Sequence, residues 1–240
     1  MKRGGKKAKK NSLVAVDSVP ANLLRLDLAR NAFAEDNFPE VLLESLRAII
    51  ASLEEKDSYT HGHSIRVAEY SVMIAEEMGF TETQIREVEI SALFHDIGKI
   101  GIPDQILMKP ARLTAAEFEI MKSHPVRSAQ IMEKISSLRN LIPGIKHHHE
   151  RYDGLGYPDG LRGEEIPLYA RIILVADTFD AMTSTRPYRL ALDREIAVNE
   201  LKNCSGTQFD TPLVEAFLRA MKKKDSGTVT PTVRIAKKIA

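Results

Sequence analysis

From about residue 38 the apolar positions recur with the period of a helix. Val41, Leu42, Ser45, Leu46, Ile49 and Leu53 form one stripe. His63, Val67, Tyr70, Ile74 and Met78 form a second, and Ile85, Val88, Ala92 and His95 a third. Phe118 and Met121 lead to His124; Ile131, Met132, Ile135 and Leu138 continue behind Pro125, which suits the first turn of a new helix. Pro143 and Pro167 can open two more helices in the same way. The last stripe is Val214, Phe217, Leu218 and Met221, with Thr211 as cap and Pro212 as first helical residue. Strand alternation is nowhere sustained. The apolar run Ile172-Ile173-Leu174-Val175 sits inside a longer pattern and reads as buried helix. The pattern predicts an all-α fold.

Breaks in that pattern divide the chain. Residues 1–37 form a basic N-terminal appendage that cannot bury a core and is expected to be partly disordered. Within it, Leu13-Val14-Ala15-Val16-Asp17 followed by Pro20 resembles the opening of a receiver domain, without room for a whole one. Residues 38–224 form the helical domain, and 225–240 a tail. The longest Gly/Pro-rich loop is DGLGYPDGLRGEEIP, residues 153–167; loops of that length inside a compact domain are often functional.

Composition narrows the class. With 240 residues and 43% hydrophobic content, the chain can build a sizeable core. Its 34 basic and 33 acidic residues nearly cancel, so global charge gives no reason to expect DNA or a membrane surface as partner. Cys204 stands alone, which excludes an internal disulfide and fits a reducing compartment. No apolar run reaches the roughly 18–20 residues that span a bilayer, and no apolar segment like that of a signal peptide follows the basic opening. A soluble cytoplasmic protein is expected.

The histidines change the picture. Three of the seven, His63, His95 and His124, fall in or at the end of apolar helix stripes, and His147, His148 and His149 form a triplet. A buried imidazole needs a partner for each nitrogen. His95 and Asp96 are adjacent and together offer nitrogen and oxygen donors, a mixture that suits Mn, Fe, Co, Ni or Zn better than Ca or Mg. His148 and His149 diverge by about 100° if helical, so they can share one metal only where a helix end lets them converge. Asp177 follows a buried apolar run, where a carboxylate requires a cation or metal partner.

YTHGHSIRV at 59–67, HDIGKIGIPD at 95–104, SHP at 123–125, HHERYDGLGYPDG at 148–160 and VADTFDAMTSTRPYR at 175–189 resemble, in order, the motifs of the HD-GYP domain. That is the cyclic di-GMP phosphodiesterase branch of the HD phosphohydrolase superfamily, and the likeness covers about residues 40–222. It implies a helical bundle around a central metal site. It implies that His63, His95, Asp96 and Asp177 hold one metal, and that Asp96 bridges to a second held by His124, His148 and His149. His61 and His147 match no ligand position and are expected at the surface or behind the ligands. Some members carry a glutamate four residues before the first ligand histidine and bind a third metal. Tyr59 stands there in this chain, so two divalent ions are expected, iron or manganese ahead of nickel, cobalt or zinc; Glu54 and Glu55 lie nearby.

The activity implied is hydrolysis of cyclic di-GMP to pGpG, with GMP as the end product if a second cut follows, by a hydroxide bridging the metals. Lys99 and Asp96 are the expected catalytic residues, Lys99 neutralising phosphate or protonating the leaving oxygen. Arg186 and Arg189 suit phosphate or guanine edges because their forks are bidentate, and Tyr188 or Tyr157 can stack on a base. A GGDEF-domain or sensory protein is a compatible partner, and a homodimer a compatible assembly. Two alternatives stand: action on another cyclic dinucleotide such as cyclic GMP–AMP, or a non-catalytic module that binds cyclic di-GMP or a GGDEF partner.

Overall fold

The computed structural model describes residues 62–185 and 190–227, together with Ser45, Ala48 and Ile49, which are helical. The chain divides into two compact units, Met1–Glu44 and Ser45–Ala240. The first lies outside the described residues, and so do the expected boundary near residue 37 and Leu46 and Leu53 of the first stripe. Among the described residues the helices are α1 His63–Glu77, α2 Glu82–Phe94, α3 Asp104–Leu107, α4 Ala115–Met121, α5 His124–Met132, α6 Ile142–Lys146, α7 Leu168–Thr183, α8 Arg194–Asn203 and α9 Thr211–Asp225. Short 3-10 turns cover Ile97–Gly101, Ser136–Leu141 and Gly163–Glu165. The one extended pairing described is an isolated bridge between Ser205 and Phe209. The fold is all-α, as the periodicity predicts.

The centre of the bundle is α7. Ala170, Ile172, Ile173, Leu174, Val175, Ala176 and Phe179 are all buried, and a helix apolar on nearly every side belongs inside. It packs against α1, α2, α6, α8 and α9. At one end Tyr70, Phe179 and Phe217 meet edge to face, with centroids 4.9–5.7 Å apart. Each such pair adds about 0.5–1.5 kcal/mol beyond its buried area. The start of α2 is held by a capping box: Thr81 Oγ1 accepts from Gln84 N, and Gln84 Oε1 accepts from Thr81 N.

Three expectations need correction. The stripe through Ile131, Met132, Ile135 and Leu138 is not one helix. α5 stops at Met132, Ile135 is extended (φ −106°, ψ 97°), and a 3-10 turn buries Leu138 and Leu141. Ser136 and Ser137 are poor helix formers that compete for the backbone, so two short elements bury what one would have. At α9 the cap position belongs to Asp210, and Thr211 is already helical. The Asp210 carboxylate accepts from Arg171 Nη1 at 2.6 Å, and Thr211 Oγ1 accepts from Ser205 Oγ at 2.9 Å. Finally, α4 buries none of its residues, and Phe118 is 46% exposed, so its stripe faces no core.

Candidate metal centre

All the expected ligands but Asp177 stand at helix ends or just beyond them. His63 is the first residue of α1, after Gly62 in the left-handed region (φ 70°). His95 caps the end of α2, and Asp96 follows as the chain tightens into the 3-10 turn. His124 opens α5. α6 ends at Lys146, so His148 and His149 lie just beyond a helix end and can converge. Asp177 sits within α7.

Packing brings these ends together. A Cβ on Gly98 would lie 2.1 Å from His124 O and 2.4 Å from Ser128 N, so the turn after Asp96 presses directly on the backbone of α5. Ser128 Oγ fastens the contact, accepting from Gly98 N at 2.8 Å and donating to His95 O at 2.7 Å.

The ring nitrogens are sorted by the backbone. Nδ1 of His95, His124 and His148 each donates to the carbonyl three residues earlier, Ala92 O, Met121 O and Ile145 O, at 2.6, 2.8 and 2.7 Å. A carbonyl only accepts, so each Nδ1 carries a proton and each ring turns its Nε2 inward. His63 does the same against a carboxylate, its Nδ1 donating to Asp180 Oδ2 at 2.7 Å.

The inward atoms form two sets. Asp96, His124, His148 and His149 make one, and His63, His95 and Asp177 the other; within each set the donor atoms lie within 4.8 Å of one another. Asp96 stands between them. Its Oδ1 is 3.1 Å from His124 Nε2 and 3.9 Å from His148 Nε2, and its Oδ2 is 3.3 Å from His95 Nε2 and 3.6 Å from His63 Nε2. Asp177 Oδ1 is 3.4 Å from His63 Nε2.

These residues fit divalent metals on three counts. His95 Nε2 and Asp96 Oδ1 are buried without a hydrogen-bond partner, a costly state unless something binds them. The Nε2 atoms of His124 and His148 approach to 3.3 Å; with both Nδ1 protons committed, neutral rings would oppose two lone pairs there. The mixed imidazole and carboxylate donors suit first-row divalent ions.

Electrostatics separates the groups. Burial opposes a charge on Asp96, but Lys99, His95 and the close rings of His124 and His63 outweigh it and hold the carboxyl well below its ordinary range. Burial likewise opposes Asp177, and His63, His95 and His149 keep it ionised. For His63, burial is outweighed by the hydrogen bond to Asp180 and by the nearby carboxylates of Asp96 and Asp177, which raise it to about 9. Burial, with the neighbouring His124, pushes His149 down to about 3. His148 is likewise driven well down by burial and the surrounding rings.

Lys99 Nζ lies 2.5 Å from Asp96 Oδ2. Tyr157 packs on the cluster, its ring 4.8 Å from that of His149 at 30°. The loop carrying it is seated on the backbone of the histidine triplet: Tyr157 N donates to His149 O at 3.2 Å, and a Cβ on Gly156 would meet Arg151 N at 2.3 Å. The Tyr157–Pro158 peptide is cis. His147 lies behind the ligands, with Nδ1 donating to Pro143 O and Nε2 2.9 Å from Asp159 Oδ2. Tyr59, His61, Glu54, Glu55, Arg186, Tyr188 and Arg189 lie outside the described residues.

Sequence reasoning missed two carboxylates. Asp180 was not singled out; its one signal was its place a helical turn after Asp177. Glu150 is fully buried; its Oε1 accepts from Asp159 N and Gly160 N at 2.7 and 3.0 Å, tying down the glycine-rich loop. Its only signal was adjacency to His149.

Residues 47–213 match the family model described as HD domain. The chain is 45% identical over 195 residues to a cyclic di-GMP phosphodiesterase of Thermotoga maritima, a match covering 79% of this chain and 53% of that protein. It is 39% identical over 187 residues to a 3′3′-cGAMP-specific phosphodiesterase of Vibrio cholerae, covering 78% of this chain and 40% of that one. The solved structure of a cyclic GMP-AMP-specific phosphodiesterase of V. cholerae shares the fold, with a TM-score of 0.62 at 20% identity over 81% of this chain and 53% of that chain. The chain spans about half the length of the curated relatives it matches. Among the described residues, no helix is long and apolar enough to cross a membrane.

Proposed function

The chain belongs to the HD domain family, and on that premise we propose that it is a metal-dependent phosphodiesterase of the HD-GYP type that opens cyclic di-GMP to pGpG. One observation carries the reading: the two oxygens of Asp96 face different donor sets, Oδ1 at 3.1 Å from His124 Nε2 and Oδ2 at 3.3 Å from His95 Nε2. A carboxylate so disposed suits a bridge between two cations. His63, His95 and Asp177 would hold one ion, and His124, His148 and His149 the other, with iron or manganese the preferred metal. When bound, the pair supplies an acidified water and positive charge against the phosphate oxygens.

The chain's own residues supply the rest. The 2.5 Å contact between Lys99 Nζ and Asp96 Oδ2 supports an ammonium group at the edge of the centre. There Lys99 neutralises a phosphate or gives a proton to the departing 3′ oxygen. The oxygen of water joins phosphorus, the bond from phosphorus to that 3′ oxygen breaks, the departing oxygen takes up a proton from Lys99 or solvent, and the proton the water gives up passes to solvent. Tyr157, beside His149, is suited to meet a base or sugar. Arg186, Arg189 and Tyr188 are proposed to hold the rest of the dinucleotide.

A second substrate is favoured by the Vibrio cholerae relative named for 3′3′-cGAMP. The test is turnover of both dinucleotides by anaerobically purified protein supplied with Mn(II) or Fe(II), with metal analysis alongside. Cyclic di-GMP is expected to be cut faster. His95→Ala and Asp96→Ala are expected to lose metal and reduce turnover to background while circular dichroism keeps its helical signal. Unchanged turnover in either variant defeats the site; faster cleavage of cyclic GMP–AMP transfers the assignment to that substrate. Arg189→Ala is expected to raise KM with kcat largely kept.

A further inference from the structure

We infer that Asp180 is a positioning residue: together with Arg66 it forms a hydrogen-bonded unit that fixes the ring of His63 with Nε2 turned towards Asp177 and Asp96. The inference rests on the metal-centre reading above and extends it to two residues outside both donor sets.

The starting point is an asymmetry among the histidines. His95, His124 and His148 each use a carbonyl one turn earlier to hold Nδ1. His63 opens α1, so that helix has no earlier turn to offer. A side chain from α7 takes the place of the carbonyl: Asp180 Oδ2, 2.7 Å from His63 Nδ1. Asp180 is 1% exposed. A carboxylate that deep needs charged or hydrogen-bonded partners to remain ionised.

Arg66 supplies them from the next turn of α1. Its Nε donates to Asp180 Oδ1 at 2.6 Å, and its Nη2 donates to Asp180 Oδ2 at 3.1 Å and to Ser184 Oγ at 3.3 Å. The two-pronged contact fixes the plane of the carboxylate and commits both oxygens. Asp180 is therefore engaged away from the metal sets, and its free choice of orientation is removed. His63 Nε2 then stands 3.4 Å from Asp177 Oδ1 and 3.6 Å from Asp96 Oδ2.

Replacing the carboxylate by an amide discriminates between positioning and mere adhesion of α1 to α7. In Asp180→Asn one oxygen becomes an NH₂. If it faces His63, Nδ1 must accept, the ring's proton moves to Nε2, and the metal-facing lone pair is lost. If it faces Arg66 Nε, two donors oppose each other. Removing the guanidinium relieves the second conflict and lets the amide oxygen turn to His63. The pair is thus expected to couple with a specific sign: Arg66→Ala partly rescues Asp180→Asn.

The experiment uses the full chain stripped of metal and titrated with Mn(II) against a competing chelator, with Co(II) absorption as a probe of ligand geometry. Wild type is expected to bind two equivalents. Asp180→Asn is expected to weaken one of them by about 10–100-fold, alter the Co(II) spectrum and leave the other equivalent unchanged. The double variant is expected to recover part of that loss. Arg66→Ala alone, whose side chain is 37% exposed, is expected to stay folded and lose a few-fold in the same equivalent. A purely structural contact predicts lower Tm in every variant, wild-type affinity for both equivalents and no rescue; that result overturns the inference. Should Asp180→Asn fail to fold, wild-type affinity in Arg66→Ala overturns it equally. If wild type itself binds no metal, the parent reading fails instead.

Discussion

Gly98 decides how near Asp96 comes to His124. What it supplies is space, because an added Cβ would sit 2.1 Å from His124 O and 2.4 Å from Ser128 N, both backbone atoms. Neither can give way without moving α5. Gly98→Ala is expected to cost about 1–3 kcal/mol, as overpacking does elsewhere, and to loosen the set containing His124. Urea unfolding measures the first effect and metal stoichiometry the second; a variant with unaltered midpoint shows that α5 can shift freely. The titration of single residues carries a second prediction. Without metal, His63 is held at about 9 and His149 at about 3. The raised value of His63 stabilises the folded state fully below its ordinary 6.5, and that contribution fades as pH climbs through about 9. The depressed value of His149 acts oppositely, removing stability as pH falls below 6.5 towards 3. A cation held by His63, as proposed, would displace the proton there, so metal loading near pH 7 is expected to release about one proton from that ring. Calorimetry in two buffers of different ionisation enthalpy counts it, and a release of zero contradicts the arrangement.

Elements show where the amino-acid pattern was a sufficient guide. Periodicity identified α1, α2, α7 and α9 because each has a continuous buried face, and the run 172–175 was rightly read as helix because α7 is buried nearly all round. It failed at 131–138 because apolar spacing does not register a break in the backbone, and failed at α4 because no core lies opposite Phe118. α4 stands on its ends instead. Thr114 and Glu117 form a capping box, and Lys109 Nζ reaches both oxygens of Glu117 at 2.8 and 2.6 Å. Lys109 and the Thr114 backbone, with a smaller opposing effect of desolvation, bring Glu117 down to about 2. A depressed carboxylate stabilises above its ordinary 4.5 and ceases to do so as pH drops through about 2. Protection of the α4 amides, taken relative to their intrinsic exchange rates, is therefore expected to fall across that acid range, and Glu117→Gln is expected to show the lower protection at neutral pH. Equal rates in variant and parent at pH 7 would leave α4 held by something else.

At the scale of the whole molecule, the candidate ligands come from α1, the end of α2, the start of α5, the chain beyond α6 and the middle of α7. The motifs named these residues, but nothing local in the chain reveals that Asp177 lies 3.4 Å from His63, or that Asp180 supports that ring from behind. Such meetings depend on how α7 threads the bundle, which periodicity does not encode. The same geometry makes the centre a staple. Left empty, it retains two buried atoms without partners and two imidazole nitrogens opposed at 3.3 Å. Filled as proposed, it would join the five segments. A ligand present at 100 times its Kd stabilises a fold by about 2.7 kcal/mol, and a chain of this size shifts by about 2–4 °C per kcal/mol. Chelation is therefore expected to lower Tm by about 5–10 °C, reversibly on adding Mn(II). The loss should be uneven. Amides of α5 and α6 should exchange faster, while α9, held by the aromatic contacts of Tyr70, Phe179 and Phe217, keeps its protection. Hydrogen exchange with and without chelator separates the two regions. Uniform loosening of both would mean that metal acts on the bundle as one cooperative body, and an unchanged Tm would mean that the cluster holds itself together without it.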